Sequence, residues 1–224
     1  MSIGIMQPYF FPHLGYFQLI NCVDEFVIYD NIEYTKKGWI NRNRIRYNDT
    51  EKTISVPIQK DSDYLNIIDR AISPDWEKHR YKILGLINSS YRKAPFFEVV
   101  YDIVQGCLLD NEMNLFRFLF NTIKRINKYL EIDTPIIISS NIDIDHSLRS
   151  QDKVLAICKK RKANTYINSI GGIDLYNKED FKDNGIDLFF IQSDPSFSII
   201  DTMMFNSKDQ IRSMLKSYEL VRGN

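Results

Sequence analysis

Two short apolar segments near the start of the chain, residues 3–6 and 26–30, have the length and composition of buried strands. Between them, apolar residues at positions 16, 17, 19, 20 and 23 follow the spacing of a helix. A strand, a helix and a strand within about 28 residues leave little room for any arrangement except a parallel pair with a helical crossover. The chain is therefore predicted to begin as a layered α/β fold.

The rest of the chain continues this alternation and contains no internal repeat. We predict a single α/β domain over residues 1–224, Rossmann-like, with a mostly parallel sheet and helices on both of its faces. Three consecutive helices predict a helical insert at about residues 74–131. Further strands are predicted at 53–58, 136–140, 166–168 and 186–191, and further helices at 75–91, 97–109, 115–130, 150–162, 176–183 and 198–220.

Charge and cysteine content exclude several classes of function. The 29 basic and 29 acidic residues cancel, which argues against a protein that binds nucleic acid through bulk electrostatics but not against a small charged ligand. The three cysteines are widely spaced and form no CxxC pair, so we expect no metal site. No apolar run reaches the roughly 18 residues that a membrane span needs, and no signal peptide is evident, so we expect a cytoplasmic protein that is not embedded in a membrane.

The connection between the first strand and the first helix carries the first group of candidate ligand-binding residues. The backbone N–H groups of a helix N-terminus attract anions, and a glycine there lets a phosphate approach the backbone. Histidine at this place can donate a hydrogen bond to a phosphoryl group or act as a general base, although it can also simply cap the loop. The candidates are His13 as a catalytic residue and Gln7, Tyr9, Gly15 and Tyr16 as substrate-binding residues.

A second group follows the second predicted strand, at the carboxyl edge where open α/β sheets bind ligands. Arginine binds phosphate or carboxylate through two hydrogen bonds, lysine does so as a point charge, and aromatic rings stack on sugars or bases. The alternative is a solvated basic loop. The candidates for substrate binding are Asp30, Tyr34, Lys36, Lys37, Trp39, Asn41, Arg42, Asn43 and Arg44.

Scattered polar residues complete the candidate site. His79 is a second candidate for proton transfer, because an unperturbed imidazole titrates near neutral pH. His146 and Arg149 follow the strand at 136–140, where helix capping is the favoured interpretation of the polar segment. The remaining candidates for substrate binding are Ser140, Gly171, Gly172, Asp201 and Asn206.

Two family resemblances rest on these motifs. His13-Leu14-Gly15-Tyr16 is similar to the H-x-G-H signature of nucleotidylyltransferases, with Tyr16 in place of the second histidine. More extensively, the chain resembles the WbqC-like family of surface-polysaccharide biosynthesis proteins. That resemblance runs through residues 7–17, 34–44, 76–79, 91–97, 139–140, 165–172 and 197–206, which span nearly the whole chain.

The WbqC-like resemblance implies a role in the biosynthesis of O-antigen or a related surface glycan. It suggests an enzyme that acts on a nucleotide-linked amino sugar, with acyl or aminoacyl transfer to the sugar amine. The cofactor is unknown, and a nucleotide or nucleotide-sugar is the suspected ligand, together with an acyl or aminoacyl donor. Two alternatives stay open: a non-catalytic sugar-nucleotide-binding partner of a transferase, and a nucleotidylyltransferase with a degenerate motif.

Overall fold

Strands and helices alternate along the computed structural model, which describes residues 1–48, 50–193 and 197–223. The strands are β1 (Ser2–Met6), β2 (Glu25–Ile28), β3 (Arg42–Tyr47), β4 (Thr50–Ser55), β5 (Ile136–Ile138), β6 (Thr165–Ser169), β7 (Asp187–Gln192) and β8 (Glu219–Arg222). The α-helices are α1 (Leu14–Cys22), α2 (Trp76–Tyr91), α3 (Phe97–Leu108), α4 (Leu115–Leu130), α5 (Ser150–Lys160), α6 (Lys178–Asp183), α7 (Ile199–Phe205) and α8 (Lys208–Leu215).

Six of these strands form one sheet in the order β5–β2–β1–β6–β7–β8. All neighbours run parallel except β7 and β8, which are antiparallel. The mostly parallel α/β sheet predicted from the sequence is therefore confirmed. The chain passes from β1 to β2 on one side of β1, whereas β6, β7 and β8 lie on its other side. The strand order therefore reverses direction between β1 and β6. Ligands of open α/β sheets bind at such a switch point.

Residues alternate between two cores on the two faces of the sheet. On β2, Phe26 and Ile28 belong to one buried cluster and Val27 to the other. Helix α1 packs on the first face, and α5 and α6 pack on the second through residues such as Val154 and Phe181. Because both faces are covered, the parallel strands are apolar throughout rather than alternating, which is why they were visible in the sequence.

The helices α2, α3 and α4 occupy the segment predicted as a helical insert. Their buried residues share the core of the first sheet face. Trp76 of α2 packs edge-on against Phe118 of α4, with ring centroids 5.4 Å apart, and Phe118 stacks at 6.3 Å on Phe10 of the β1–α1 connection. The insert therefore supports the connection that carries the first group of candidate residues.

Two local predictions were wrong. The segment now seen as β3 was expected to be a polar loop, but it pairs with β4 in an antiparallel hairpin. Only Asn43 and Ile45 of β3 are buried, and three arginines occupy the positions between and beside them. The apolar–polar alternation of a strand is therefore not evident in this segment. The tail at 198–220 was expected to be one helix; instead a capping box between Ser207 and Gln210 starts α8 separately, and β8 follows.

Candidate functional site

A cleft of about 1180 Å³ opens at the carboxyl ends of β1, β2 and β6, next to the first turn of α5. It lies at the switch point of the sheet. Four chain segments line it: the connection after β1, the connection after β2, the segment that leads into α5, and the turn after β6. The polar and aromatic lining residues include Gln7, Tyr9, His13, Asn31, Glu33, Trp39, His146, Arg149, Lys153, Asn168, Asp174 and Tyr176.

The connection after β1 has an unusual backbone that neighbouring side chains hold in place. Phe11 has a φ of 43°, in the left-handed region that few residues other than glycine adopt. The buried amide of Asn43 donates to the carbonyls of Phe10 at 3.1 Å and Phe11 at 2.7 Å, and the hydroxyl of Ser198 donates to the Phe11 carbonyl at 2.9 Å. Backbone strain of this kind persists only where the surroundings fix it, and it clusters at functional sites.

His13 is the N-cap of α1 and also lines the cleft. Its Nδ1 accepts a hydrogen bond from the backbone N–H of Gly15 at 3.1 Å. In the neutral imidazole the proton must then lie on Nε2, which makes that atom a donor rather than a base. The geometry therefore suits His13 for donating to an anion better than for accepting a proton.

Gly15 was predicted to let a phosphate approach the backbone, but protein side chains occupy the space beside it. Gly15 is buried, and a Cβ at this position would collide with Ser193 Oγ and crowd the ring of His13. The glycine makes room for Ser193. Tyr16 is also buried, and its hydroxyl donates to the carbonyl of Gln7 at 3.0 Å. Burial raises the pKa of Tyr16 well above its ordinary value, so this residue braces the loop and stays neutral.

The residues after β2 form a buried network beneath the cleft. Asp30 is fully buried, and its Oδ1 accepts from the hydroxyl of Ser139 at 2.6 Å and from the backbone N–H of Ser140 at 2.9 Å. The amide of Asn31 accepts from Ser139 at 2.8 Å and donates to Nδ1 of His146 at 2.8 Å. An amide N–H can only donate, so Nε2 of neutral His146 carries its proton. Asp30 and Ser140 thus position cleft residues from below.

Trp39 is the member of the second candidate group that lines the cleft. Its side chain is 42% exposed, and the guanidinium groups of Arg42 and Arg44 lie 5.8 and 5.2 Å from its ring. Arg42 donates to the carbonyls of Lys37 and Gly38, which fixes the turn that presents the indole. An exposed aromatic ring held in this way offers a stacking surface at the mouth of the cleft.

The other candidates from this segment are engaged elsewhere. Lys36 pairs with Asp63 at 2.6 Å, and Arg44 pairs with Glu51 at 3.0 Å. Tyr34 donates to Asn41 at 2.7 Å. The described lining of the cleft includes none of the four cations of this segment, which are Lys36, Lys37, Arg42 and Arg44. The cations predicted to neutralise phosphate here instead stabilise the loop and the hairpin.

Three more candidates lie away from the cleft. His79 is on α2, with Nδ1 3.0 Å from the carbonyl of Asp75. Asp201 accepts from the hydroxyl of Tyr91 at 3.1 Å and pairs with Arg46 at 3.3 Å, while Asn206 donates to the carbonyl of Thr202 at 2.9 Å. None of these three contributes to the described lining of the cleft, so the structure does not bring a proton relay from His79 to the other candidates.

The turn after β6 brings Gly171 and Gly172 to the cleft, as the sequence predicted. Gly172 is buried, and an added Cβ would meet the amide of Asn168 at 3.1 Å. That amide donates to the hydroxyl of Tyr176 at 2.9 Å, which fixes a tyrosine in the cleft wall.

Sequence reasoning noted His146 and Arg149 but preferred helix capping for their segment, and it did not name Lys153, which also lines the cleft. Lys153 lies in the first turn of α5, Arg149 is the N-cap of that helix, and His146 comes from the segment before it. Lys153 is only 4% exposed, and burial lowers its pKa, although the carboxylate of Asp30 opposes the effect. The available signal was position: this segment follows a parallel strand at the carboxyl edge of the sheet. The capping interpretation was wrong for α5, because the N-cap of this helix is Arg149 without a side-chain hydrogen bond, and Asp145 instead accepts from Ser147 at 2.7 Å in the turn before the helix.

Other chemistries find little support in the described residues. Within residues 1–48, 50–193 and 197–223, no group of three or more histidine, cysteine, aspartate or glutamate side chains is placed to hold a metal ion. Burial raises the pKa of Cys22, Cys107 and Cys158 to about 12, so these thiols are protonated and poor nucleophiles at neutral pH. In the same part of the chain, no helix combines the length and the apolarity required to span a bilayer.

Comparison with known proteins adds a family but no activity. The chain is similar to an uncharacterized protein of Mycobacterium tuberculosis, with 29% identity over 170 residues that cover 75% of this chain and 71% of the relative. No solved structure matches. The model of the WbqC-like protein family matches residues 7–213, which include β2, β6 and the connections that line the cleft but not β1. The chain therefore belongs to the WbqC-like protein family.

Proposed function

We propose that the cleft binds a nucleotide-linked amino sugar and that the protein transfers an acyl or aminoacyl group to the sugar amine, in the cytoplasmic assembly of a surface glycan. The observation that carries this proposal is the placement of Arg149, Lys153, His146 and His13 around one cleft at the switch point of the sheet. The glycan setting itself comes from the family resemblance.

The size and charge of the cleft fit a large anionic ligand. Its volume of about 1180 Å³ is above the range of roughly 300–1,000 Å³ in which most small-molecule pockets fall. Arg149 is 85% exposed at the cleft, and its guanidinium, which lies 4.0 Å from a carboxylate oxygen of Glu33, has further N–H donors for phosphate oxygens. Ser150 and Gln151, at the start of α5, line the same space. These donors suit the diphosphate of a sugar nucleotide.

The remaining lining residues fit the other parts of such a ligand. Trp39 and Tyr9 offer aromatic faces for a base or a sugar ring. Glu33 and Asp174 place two carboxylates at the same cleft, and a carboxylate binds an ammonium group through charge-assisted hydrogen bonds. A ligand with both phosphates and an amine accounts for cations and carboxylates in one cleft better than a simple nucleotide does.

The reaction replaces the bond between the acyl carbon and its leaving group by a C–N bond, and one N–H bond of the amine is broken. The neutral sugar amine attacks the carbonyl carbon of an activated acyl donor, such as a thioester or an acyl phosphate. The new C–N bond forms, the bond between the carbonyl carbon and the leaving group breaks with its electron pair, and the nitrogen loses one proton. The described thiols are protonated at neutral pH, which favours direct transfer over an acyl-enzyme on cysteine.

One observation favours the alternative of a non-catalytic binding partner. Both imidazoles that line the cleft accept a hydrogen bond at Nδ1, His13 from Gly15 and His146 from Asn31. In this arrangement neither neutral ring offers its remaining nitrogen as a base. The nucleotidylyltransferase alternative has less support, because Tyr16 occupies the place of the second histidine of that signature and is buried under the loop.

Calorimetric titration tests the binding step. We expect UDP- or dTDP-linked amino sugars to bind more tightly than the same nucleotides linked to a sugar with a hydroxyl in place of the amine. Arg149→Gln should weaken binding about tenfold or more, because a charge-assisted hydrogen bond is worth about 1.5–3 kcal/mol. Lys36→Gln is the matched control, since Lys36 pairs with Asp63 outside the cleft lining. The absence of binding by folded protein, or an equal loss in both variants, contradicts the proposal.

A further inference from the structure

Lys153 differs from the other lysines of the chain in where its amine lies. The residue is in the first turn of α5, its side chain is 4% exposed, and it forms part of the cleft wall. Its Nζ donates to the carbonyl of Asn31 at 3.0 Å and lies 5.5 Å from the ring centroid of Tyr29. A lysine is rarely buried to this extent unless a carboxylate pairs with it.

The contacts of Nζ leave room for an uncharged amine. The carbonyl of Asn31 requires only one N–H, which a neutral amine supplies, and the lone pair of the nitrogen then stays available for a proton. No carboxylate within 4.0 Å pairs with Lys153 among the described residues. Burial lowers the pKa of Lys153 although the carboxylate of Asp30 opposes the effect, and the ring of Tyr29 favours the charged form.

Titratable groups from each neighbouring segment line the cleft around Lys153, and two groups at the end of β2, Asp30 and Tyr29, act on its amine. Asp30 and Tyr29 approach from the end of β2, and Glu33 from the connection that follows it. His146 and Arg149 come from the segment before α5, and the guanidinium of Arg149 adds a positive charge to the cleft. Asp174 and Tyr176 line the opposite wall, and Tyr176 stays neutral because burial raises its pKa.

We propose that Nζ of Lys153 is the proton acceptor of the cleft. This step rests on the proposed acyl transfer, in which the attacking nitrogen must lose one proton as the C–N bond forms. That proton passes to the lone pair of Nζ, the amine becomes an ammonium, and the leaving group departs with the electron pair of the broken bond. The histidines are poorly placed for this proton transfer. His13 and His146 use Nδ1 to accept hydrogen bonds from the protein, and His79 lies on α2.

The test follows the amine directly, without any ligand. In protein labelled with ¹³C-lysine, the ¹³Cε shift of Lys153, assigned by its loss in Lys153→Met, should titrate at lower pH than that of an exposed lysine such as Lys178. Titration together with the exposed lysines overturns the proposal. If Lys153 titrates early but the folded protein binds no nucleotide-linked amino sugar, the proposed function fails and the role of Lys153 in it fails too, although the lowered pKa of the amine stands.

A second arm separates a proton acceptor from a fixed positive charge that binds phosphate. Lys153→Arg keeps the charge but cannot accept a proton. With a UDP-amino sugar and an acyl thioester or acyl phosphate, we expect this variant to bind the sugar nucleotide and to lose on the order of 100-fold in kcat, as removal of a general base does. Retention of kcat in Lys153→Arg, with loss of binding in Lys153→Met, assigns the residue to phosphate binding and contradicts the proposal.

Discussion

The side-chain amide of Asn43 donates a hydrogen bond of 2.7 Å to the carbonyl of Phe11. This bond joins the hairpin strand that follows the β2 connection to the connection that follows β1. A second bond from the same amide reaches Phe10 at 3.1 Å, and the backbone N–H of Phe10 reaches the carbonyl of Trp39 at 3.4 Å. As a result, His13 and Trp39 line one cleft although 26 positions separate them in the chain.

Asn43→Ala should therefore destabilise the protein and loosen the cleft together. The substitution removes the amide donor from the carbonyl of Phe10, whereas the carbonyl of Phe11 keeps its bond from Ser198. An unsatisfied buried polar group costs about 1–3 kcal/mol. We expect the free energy of unfolding in urea to fall by about 2 kcal/mol or more. Asn141→Ala is the control, since Asn141 is exposed, and it should change the free energy by less than about 0.5 kcal/mol. Equal effects of the two substitutions would refute the bridging role.

Trp39→Ala should weaken ligand binding with little effect on stability. Stacking of an aromatic side chain on a base is worth about 1–3 kcal/mol, so the dissociation constant for a UDP-amino sugar should rise by about tenfold or more. The ring is 42% exposed, so the melting temperature should change little. Tyr64→Ala removes a ring that is 80% exposed and outside the cleft lining, and it should bind normally. Unchanged affinity in Trp39→Ala would rule out the stacking role.

Replacement of Lys153 by methionine should stabilise the protein in a way that depends on pH. Burial lowers the pKa of Lys153 in the folded state below its ordinary value of 10.5, so the unfolded state binds more protons between the two pKa values. The buried amine therefore costs most stability below its folded pKa, and this cost disappears as pH rises towards 10.5. The difference in free energy of unfolding between Lys153→Met and the parent should shrink over that interval. A difference that is constant with pH would show that the pKa is not lowered.

Asp30→Asn should lower the pKa of Lys153 further. The carboxylate of Asp30 is the group that raises this pKa against the effect of burial, and asparagine keeps a similar shape without the charge. The oxygen that accepts from Ser139 and Ser140 is retained in the amide. The ¹³Cε titration of Lys153 should move to lower pH in this variant, while Lys178 should titrate as before. A shift to higher pH would mean that Asp30 does not stabilise the ammonium.

Much of the fold was predictable because parallel strands covered on both faces are apolar throughout. The opening strand–helix–strand unit and the later strands and helices were visible for this reason. The hairpin strand β3 was not, since Arg42, Arg44 and Arg46 alternate with its two buried residues. Similarly, the apolar spacing of a helix continues past Ser207, so one helix was predicted where the capping box at Ser207 starts a second one.

The candidate site was predicted less completely, because the sequence does not show which charged side chains form ion pairs and which are buried in the fold. The sequence placed Gln7, Tyr9, His13, Trp39, Gly171 and Gly172 at the site, and the structure brings these residues to one cleft. Lys36 and Arg44 have the same chemistry as phosphate-binding residues, but their partners Asp63 and Glu51 follow later in the chain. Lys153 lies among the apolar residues of a helix, where a lysine is normally solvated, and only tertiary packing buries it.

A structure of the protein bound to a UDP- or dTDP-linked amino sugar tests the central claim most directly. We predict that the diphosphate lies in the cleft within hydrogen-bond distance of Arg149 or the first turn of α5. The base or sugar ring should stack on Trp39, and the sugar amine should lie near Nζ of Lys153. A ligand bound at another surface, or an empty cleft at saturating ligand, would contradict the account.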